Sequence, residues 1–207
     1  MNAQTRKFFI PGTAGQIECA IDLPDGTPSG LALLAHPHPL FGGTMDNKVI
    51  QTLARTFVGL GYVTARMNFR GVGRTQGVHD EGRGETDDMA ALLASLRKQY
   101  PGLPLALGGF SFGTFVQSQL QQRLIEQGAP AERLVLVSVT AKKWAIDTVP
   151  ENTILIHGEQ DDVVPLADVF DWARPQDLPV VVVTGANHLF DRKLHHIRDI
   201  VSGMWHR

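Results

Sequence analysis

Leu105-Ala106-Leu107-Gly108-Gly109-Phe110-Ser111-Phe112-Gly113 leads into a stretch in which Val116, Leu120 and Leu124 recur every four residues. The apolar run at 105–107 reads as a buried strand, and the four-residue spacing reads as one face of a helix. The Gly-x-Ser-x-Gly between them, taken alone, also fits a loop that merely starts a helix. A strand before it and an amphipathic helix after it favour a sharp strand-to-helix turn, with unfavourable backbone angles at the serine. Small residues two before and two after, Gly109 and Gly113, keep strand and helix from colliding where they nearly touch. Such a turn lifts the Ser111 hydroxyl above a sheet, and the first helical amides, starting at Phe112, point toward negative charge formed there. A phosphate-binding loop is a poor fit, because no Gly-Lys-Ser/Thr follows and no Gly-x-Gly-x-x-Gly opens the first crossover.

Outward from this turn the same alternation repeats. Leu31–Ala35, Tyr62–Met67, Leu134–Val139, Thr153–Ile156 and Val180–Val183 are continuous apolar runs, expected as central strands covered on both faces. Between them Val49, Leu53 and Phe57, then Met89, Leu92, Leu93 and Leu96, keep helical spacing. A short helix is expected from Pro165 to Phe170 and a last one over Asp191–Met204. The polar stretch Thr75–Thr86 reads as a loop. The opening reads as antiparallel strands around Lys7–Ile10 and Gln16–Leu23, with turns supplied by Asp25-Gly26 and Pro28. Strands alternating with helices predict an α/β fold, a mainly parallel central sheet flanked by helices, in one domain over residues 1–207.

Composition narrows the partners. The formal charge is -2, so no broad positive field draws nucleic acid or an anionic membrane. Cys19 is the single cysteine, which rules out an intrachain disulfide and a cysteine-rich metal centre. Arg6 and Lys7 precede an apolar run that Pro11-Gly12 ends too soon for a signal peptide, and no segment reaches the roughly 18 apolar residues of a spanning helix. A cytoplasmic location is the expectation.

The elbow, Asn68-Phe69-Arg70-Gly71-Val72-Gly73, His157-Gly158-Glu159-Gln160-Asp161 and Gly185-Ala186-Asn187-His188 together resemble segments of the α/β-hydrolase superfamily over nearly the whole chain. Within it the chain looks most like small bacterial serine esterases near the dienelactone hydrolase group; dienelactone hydrolases proper use a cysteine where this elbow has Ser111. The resemblance implies the chain order serine, acid, histidine. A serine hydroxyl needs an imidazole to take its proton, and the imidazole needs a carboxylate to hold its tautomer. His188 follows the strand Val180–Val183 and Asp161 follows Thr153–Ile156, both beyond carboxyl ends, where open α/β sheets place their sites. Asp162 and Glu159 compete with Asp161; the resemblance prefers Asp161, with Asp162 expected to solvate the turn or cap the helix near Pro165. Among the other histidines, His157 is expected to orient the acid turn, while His79, His195, His196 and His206 read as surface or local packing.

By the same resemblance the oxyanion hole takes one amide from Phe112 and another from the loop His36-Pro37-His38-Pro39-Leu40-Phe41-Gly42-Gly43. The prolines have no N–H, which leaves His38, Leu40 and Phe41, with His38 or Leu40 expected. His36 and His38 as a metal pair lack a third ligand, so no metal and no cofactor is expected. Arg70 either holds its turn by hydrogen bonds or binds a substrate carboxylate. Thr140–Asn152, where many members insert a helical cap after the sixth strand, is too short for one, so no cap domain and a broad, shallow site are expected. Trp144 and Ile146 either line the edge of that site or pack on the sheet. The expected activity is acyl transfer from a small-molecule ester to water through an acyl-enzyme; a thioesterase, amidase, peptidase or acyltransferase with the same triad, and a non-catalytic binding protein on the same scaffold, are the alternatives.

Overall fold

The structure is a computed structural model that describes residues 5–205; His206 lies outside them. Eight strands form one sheet: β1 (Arg6–Gly12), β2 (Gly15–Asp22), β3 (Gly30–Ala35), β4 (Tyr62–Met67), β5 (Leu105–Phe110), β6 (Arg133–Val137), β7 (Ile154–Gly158) and β8 (Val180–Val183). Their spatial order is β1-β2-β4-β3-β5-β6-β7-β8. β1 with β2 and β2 with β4 pair antiparallel, and every other neighbour pair is parallel. This is the mainly parallel α/β sheet with an antiparallel N-terminal edge that the residue pattern predicts.

Five helices cover the two faces: α1 (Lys48–Gly59), α2 (Arg83–Gln99), α3 (Phe112–Glu126), α4 (Leu166–Ala173) and α5 (Leu194–Met204). Successive strand side chains point to opposite faces, so Leu31 and Leu33 of β3 pack with Met89 and Leu92 of α2 and Val116 and Leu120 of α3. Ala32 and Leu34 pack instead with Val49, Leu53 and Phe57 of α1 and Ile197 and Val201 of α5. Two cores, one on each face, explain why the strands carry unbroken apolar runs.

Several boundaries and one burial pattern depart from the sequence pattern; β6 ends at Val137, two residues short of Val139, and β7 runs on to Gly158. β5 continues through Gly108 and Gly109 to Phe110, and a Cβ on Gly108 would lie 2.6 Å from Leu34; here glycine marks close packing, not the end of a strand. α2 begins at Arg83, inside the expected loop, since the Glu85 side chain accepts the Gly82 N–H and closes the helix start. The last helix starts at Leu194 rather than Asp191, and the helix after Pro165 runs on to Ala173. β8 is an edge strand, and Val180, Val181 and Val182 are only half-buried, so it is not covered on both faces. Between β6 and β7 the chain forms turns and no helix, and no cap domain covers the carboxyl edge of the sheet.

Candidate active site

Ser111 sits between β5 and α3 at φ 54°, a left-handed value that only the surrounding packing enforces on a non-glycine residue. A Cβ on Gly109 would lie 2.5 Å from the Gly113 carbonyl oxygen, and one on Gly113 would lie 2.1 Å from that of Ala35. These two glycines let the helix start seat against the ends of β5 and β3. The Ser111 N–H donates to the Val137 carbonyl at 2.9 Å, which ties the turn to β6.

Asp161 and His188 arrive from the next two strand ends. His188 Nε2 lies 3.2 Å from Ser111 Oγ, and His188 Nδ1 lies 2.8 Å from Asp161 Oδ2. With Nδ1–H donating to the carboxylate, Nε2 is left to accept the serine proton. The other carboxylate oxygen, Oδ1, accepts the Val163 and Val164 N–H groups at 3.0 and 2.8 Å. Burial pushes the Asp161 carboxyl up, but the bond and charge of His188 and the Val164 amide outweigh it and hold the group below its ordinary range. All three side chains are largely buried. The turns bearing them are joined directly, since the Gln160 N–H donates to Ala186 O at 2.9 Å and the Gly185 N–H donates to Glu159 Oε2 at 2.7 Å. Glu159 is therefore engaged with backbone, and Asp162 is exposed at the cavity wall and caps no helix.

The loop after β3 supplies the opposite wall. His36 is fully buried, its Nε2 accepts the Phe69 N–H at 2.9 Å, and its Nδ1 lies 2.6 Å from Pro37 O. Burial drives its pKa down to about 3, against the opposing Pro37 contact, so the ring is a neutral tie between two loops. The Leu40 N–H donates to His38 Nδ1 at 3.2 Å and the Phe41 N–H donates to His38 O at 3.1 Å. Leu40, expected as an alternative oxyanion donor, is thus already engaged, because the 3-10 turn Pro39–Phe41 folds its amide back on the His38 ring. Among the described residues the N–H groups of His38 and Phe112 have no hydrogen-bond partner.

A cavity of about 700 Å³ opens over Ser111, with His38, Phe41, Phe112 and Trp144 on one side and Val163, Val164 and Leu189 on the other. Trp144 both lines this cavity and stacks on Phe115 at 5.3 Å, whereas Ile146 is buried in the core below. Arg70 is not at the cavity: its guanidinium bonds Asp88 at 2.7 and 3.1 Å and Thr13 at 2.7 Å, so it supports its turn and is not placed to bind substrate. His157 donates from Nε2 to Val164 O at 2.9 Å, bracing the acid turn. Two contributors escape sequence reasoning. Leu189 follows His188 and reads as an ordinary loop residue. His79, read as a loop histidine, packs its ring 4.7 Å from that of His38 and 5.4 Å from that of Phe112; no local pattern marks it, because the contacts come from three separate segments.

The sheet order, the strained serine turn and the uncovered edge define the class of lidless α/β serine hydrolases. The profile of the family described as serine aminopeptidase, S33, matches residues 40–145, a span that includes the elbow and ends before Asp161 and His188. The chain is 31% identical to an uncharacterised protein of Rickettsia prowazekii over 95% of this chain and 87% of that one. It also resembles the crystal structure of a lidless α/β serine hydrolase from Xanthomonas campestris, with a TM-score of 0.90, 31% identity and 99% and 94% of the two chains covered. An α/β serine hydrolase homologue from Coxiella burnetii matches with a TM-score of 0.86, 35% identity and 96% of each chain covered. The chain belongs to this serine hydrolase family of the α/β-hydrolase superfamily.

Proposed function

We propose that the protein hydrolyses small esters through an acyl-enzyme, with Ser111 as nucleophile, His188 as general base and acid, and Asp161 as orienter. The carrying observation is the buried relay from Ser111 to His188 to Asp161, at 3.2 and 2.8 Å, beside two unpartnered backbone amides. Ser111 Oγ attacks the carbonyl carbon while its proton passes to His188 Nε2. The Nδ1–H bond to Asp161 stabilises the resulting imidazolium, and the N–H groups of Phe112 and His38 receive the oxyanion. Collapse of the tetrahedral intermediate expels the alcohol, which takes the proton back from His188. Water then enters, gives its proton to His188 and releases the acid by the same steps in reverse. No cofactor takes part.

An apolar, uncapped cavity suits a small or medium acyl group more than a long chain that needs an enclosing tunnel. The narrower kinship to esterases near the dienelactone hydrolase group, and a cytoplasmic setting, belong to this reading. The family's description favours a second one, cleavage of a peptide from its amino end. That activity must hold a free ammonium, and outside the relay Asp162 is the cavity-lining carboxylate among the described residues. A panel of 4-nitrophenyl acetate and butyrate, a thioester and aminoacyl arylamides separates the two. Ester turnover that falls by roughly 10⁴-fold or more in Ser111→Ala is expected. Undiminished turnover in that variant, or no labelling of Ser111 by a fluorophosphonate, would refute the nucleophile and favour a binding role.

A further inference from the structure

The residues around the oxyanion loop include a second histidine–carboxylate pair that takes no part in the relay. Glu85, in the first turn of α2, has no exposed surface. Its Oε1 lies 2.9 Å from His79 Nδ1 and accepts the Asp80 N–H at 3.0 Å, and its Oε2 accepts the Gly82 N–H at 2.8 Å. A buried carboxylate with this many donors is fully satisfied, and it pins the His79 ring from one side. The opposite side of that ring meets the His38 and Phe112 rings at 4.7 and 5.4 Å. In the reading above these two residues supply the backbone N–H groups that receive the oxyanion; their own rings meet at 4.8 Å and Trp144 lies 5.8 and 4.9 Å from them, and His79 is the member of this ring cluster held from behind by a buried carboxylate. Prolines on both sides of His38 restrict the loop, and its root at Ala35 and His36 packs on Gly113 at the start of α3, whereas the His38 side of the loop meets α3 through side chains.

We infer that His79, anchored by Glu85, is a positioning residue that helps hold the spacing between the two oxyanion-hole amides of His38 and Phe112. The inference rests on the serine-hydrolase reading above. His79 touches no reacting atom in it; it acts by holding the His38 loop against the start of α3. The His38 ring is itself tied to the 3-10 turn, since its Nδ1 accepts the Leu40 N–H. Two donors misplaced by a fraction of an ångström stabilise an oxyanion less while leaving ground-state binding alone.

The test compares His79→Ala, His79→Gln and His79→Phe with wild type on 4-nitrophenyl butyrate, with rates expressed per active site titrated by a fluorophosphonate. His79→Ala is expected to lower kcat by about 10- to 100-fold with KM within about twofold. Affinity for a trifluoromethyl ketone, whose hemiketal oxyanion occupies the hole, should fall by the same factor, while inhibition by the product acid stays unchanged. His79→Phe restores the ring without the Glu85 bond and should recover part of the loss; His79→Gln keeps a donor for Glu85 without the ring and should not. Wild-type kcat and ketone affinity in His79→Ala, or a loss confined to KM, overturns the positioning role. If wild-type Ser111 takes no label, the serine-hydrolase reading falls and this inference falls with it; a labelled wild type with an unaffected His79→Ala defeats this inference alone.

Discussion

His36 shows how one residue's environment shapes the behaviour of the whole chain. Its Nε2 accepts from Phe69 and its ring is fully buried, and that burial, against the opposing Pro37 contact, holds it neutral down to a pKa of about 3. The unfolded chain, with an ordinary imidazole near 6.5, takes up a proton well before the folded one does. A depressed pKa on a basic group therefore removes stability as the pH falls from about 6.5 toward 3, by about 1.4 kcal/mol per pH unit from this ring. Urea denaturation between pH 7.5 and pH 5 should show that loss. His36→Gln should show a flatter slope, together with a stability about 1–3 kcal/mol lower at pH 7.5 if the Phe69 N–H is left unpaired. Coincident slopes for the two proteins would mean that His36 is not the titrating group. Of the candidate site residues, Ser111 stands out by its elbow and His188 by its place after a strand, whereas Asp161 is preferred over Asp162 and Glu159 only by the family resemblance. His38 could not be separated from Leu40, since the difference is a single hydrogen bond from the Leu40 amide to the His38 ring.

The elements that matter most for the proposed chemistry are the two turns after β7 and β8. Each is short, and each carries one member of the relay. Gly158 ends β7 against the second turn: a Cβ there would lie 2.5 Å from Ala186 O and 3.0 Å from Asn187 O. These are backbone atoms, which cannot swing aside as the tip of a side chain can. Gly158→Ala should therefore destabilise the fold by about 1–3 kcal/mol through overpacking. It should also lower kcat by at least about tenfold, by moving Asp161 away from His188. Denaturation and steady-state kinetics on one preparation check both, and an unaltered kcat would show that the turns separate without disturbing the relay. The start of α2 carries the complementary lesson. Gly82-Arg83-Gly84 looks like loop by propensity, and the helix begins there because the buried Glu85 carboxylate gathers the preceding N–H groups.

For the whole molecule, the absence of a cap leaves the cavity walls to select substrate. Phe41 is 81% exposed and lines the cavity, with its ring 4.9 Å from that of His38. An aromatic contact of this kind contributes about 0.5–1.5 kcal/mol. Phe41→Ala should thus raise KM for a hexanoyl ester by about 2- to 10-fold and leave acetyl ester hydrolysis within about twofold. Equal effects on both esters would place the bound acyl chain on another wall. Thiol reagents provide a contrast, because Cys19 is buried in β2 and burial pushes its pKa up to about 12, which makes it a poor nucleophile in the folded protein.

The amino-acid sequence by itself determined the alternation of buried strands and amphipathic helices and the strained turn at Ser111, while the order of the serine, acid and histidine segments came from the family resemblance. The alternation and the turn follow from local periodicity and from backbone angles that few residues accept, so they are written in neighbouring positions. Only the tertiary structure decided which amide of the loop after β3 stays free, that Arg70 faces Asp88 and not the cavity, that β8 lies at an edge, and that His79 bridges the His38 loop and α3. Each of these depends on groups distant in the chain competing for the same hydrogen bond or the same volume, and sequence spacing carries no record of that competition.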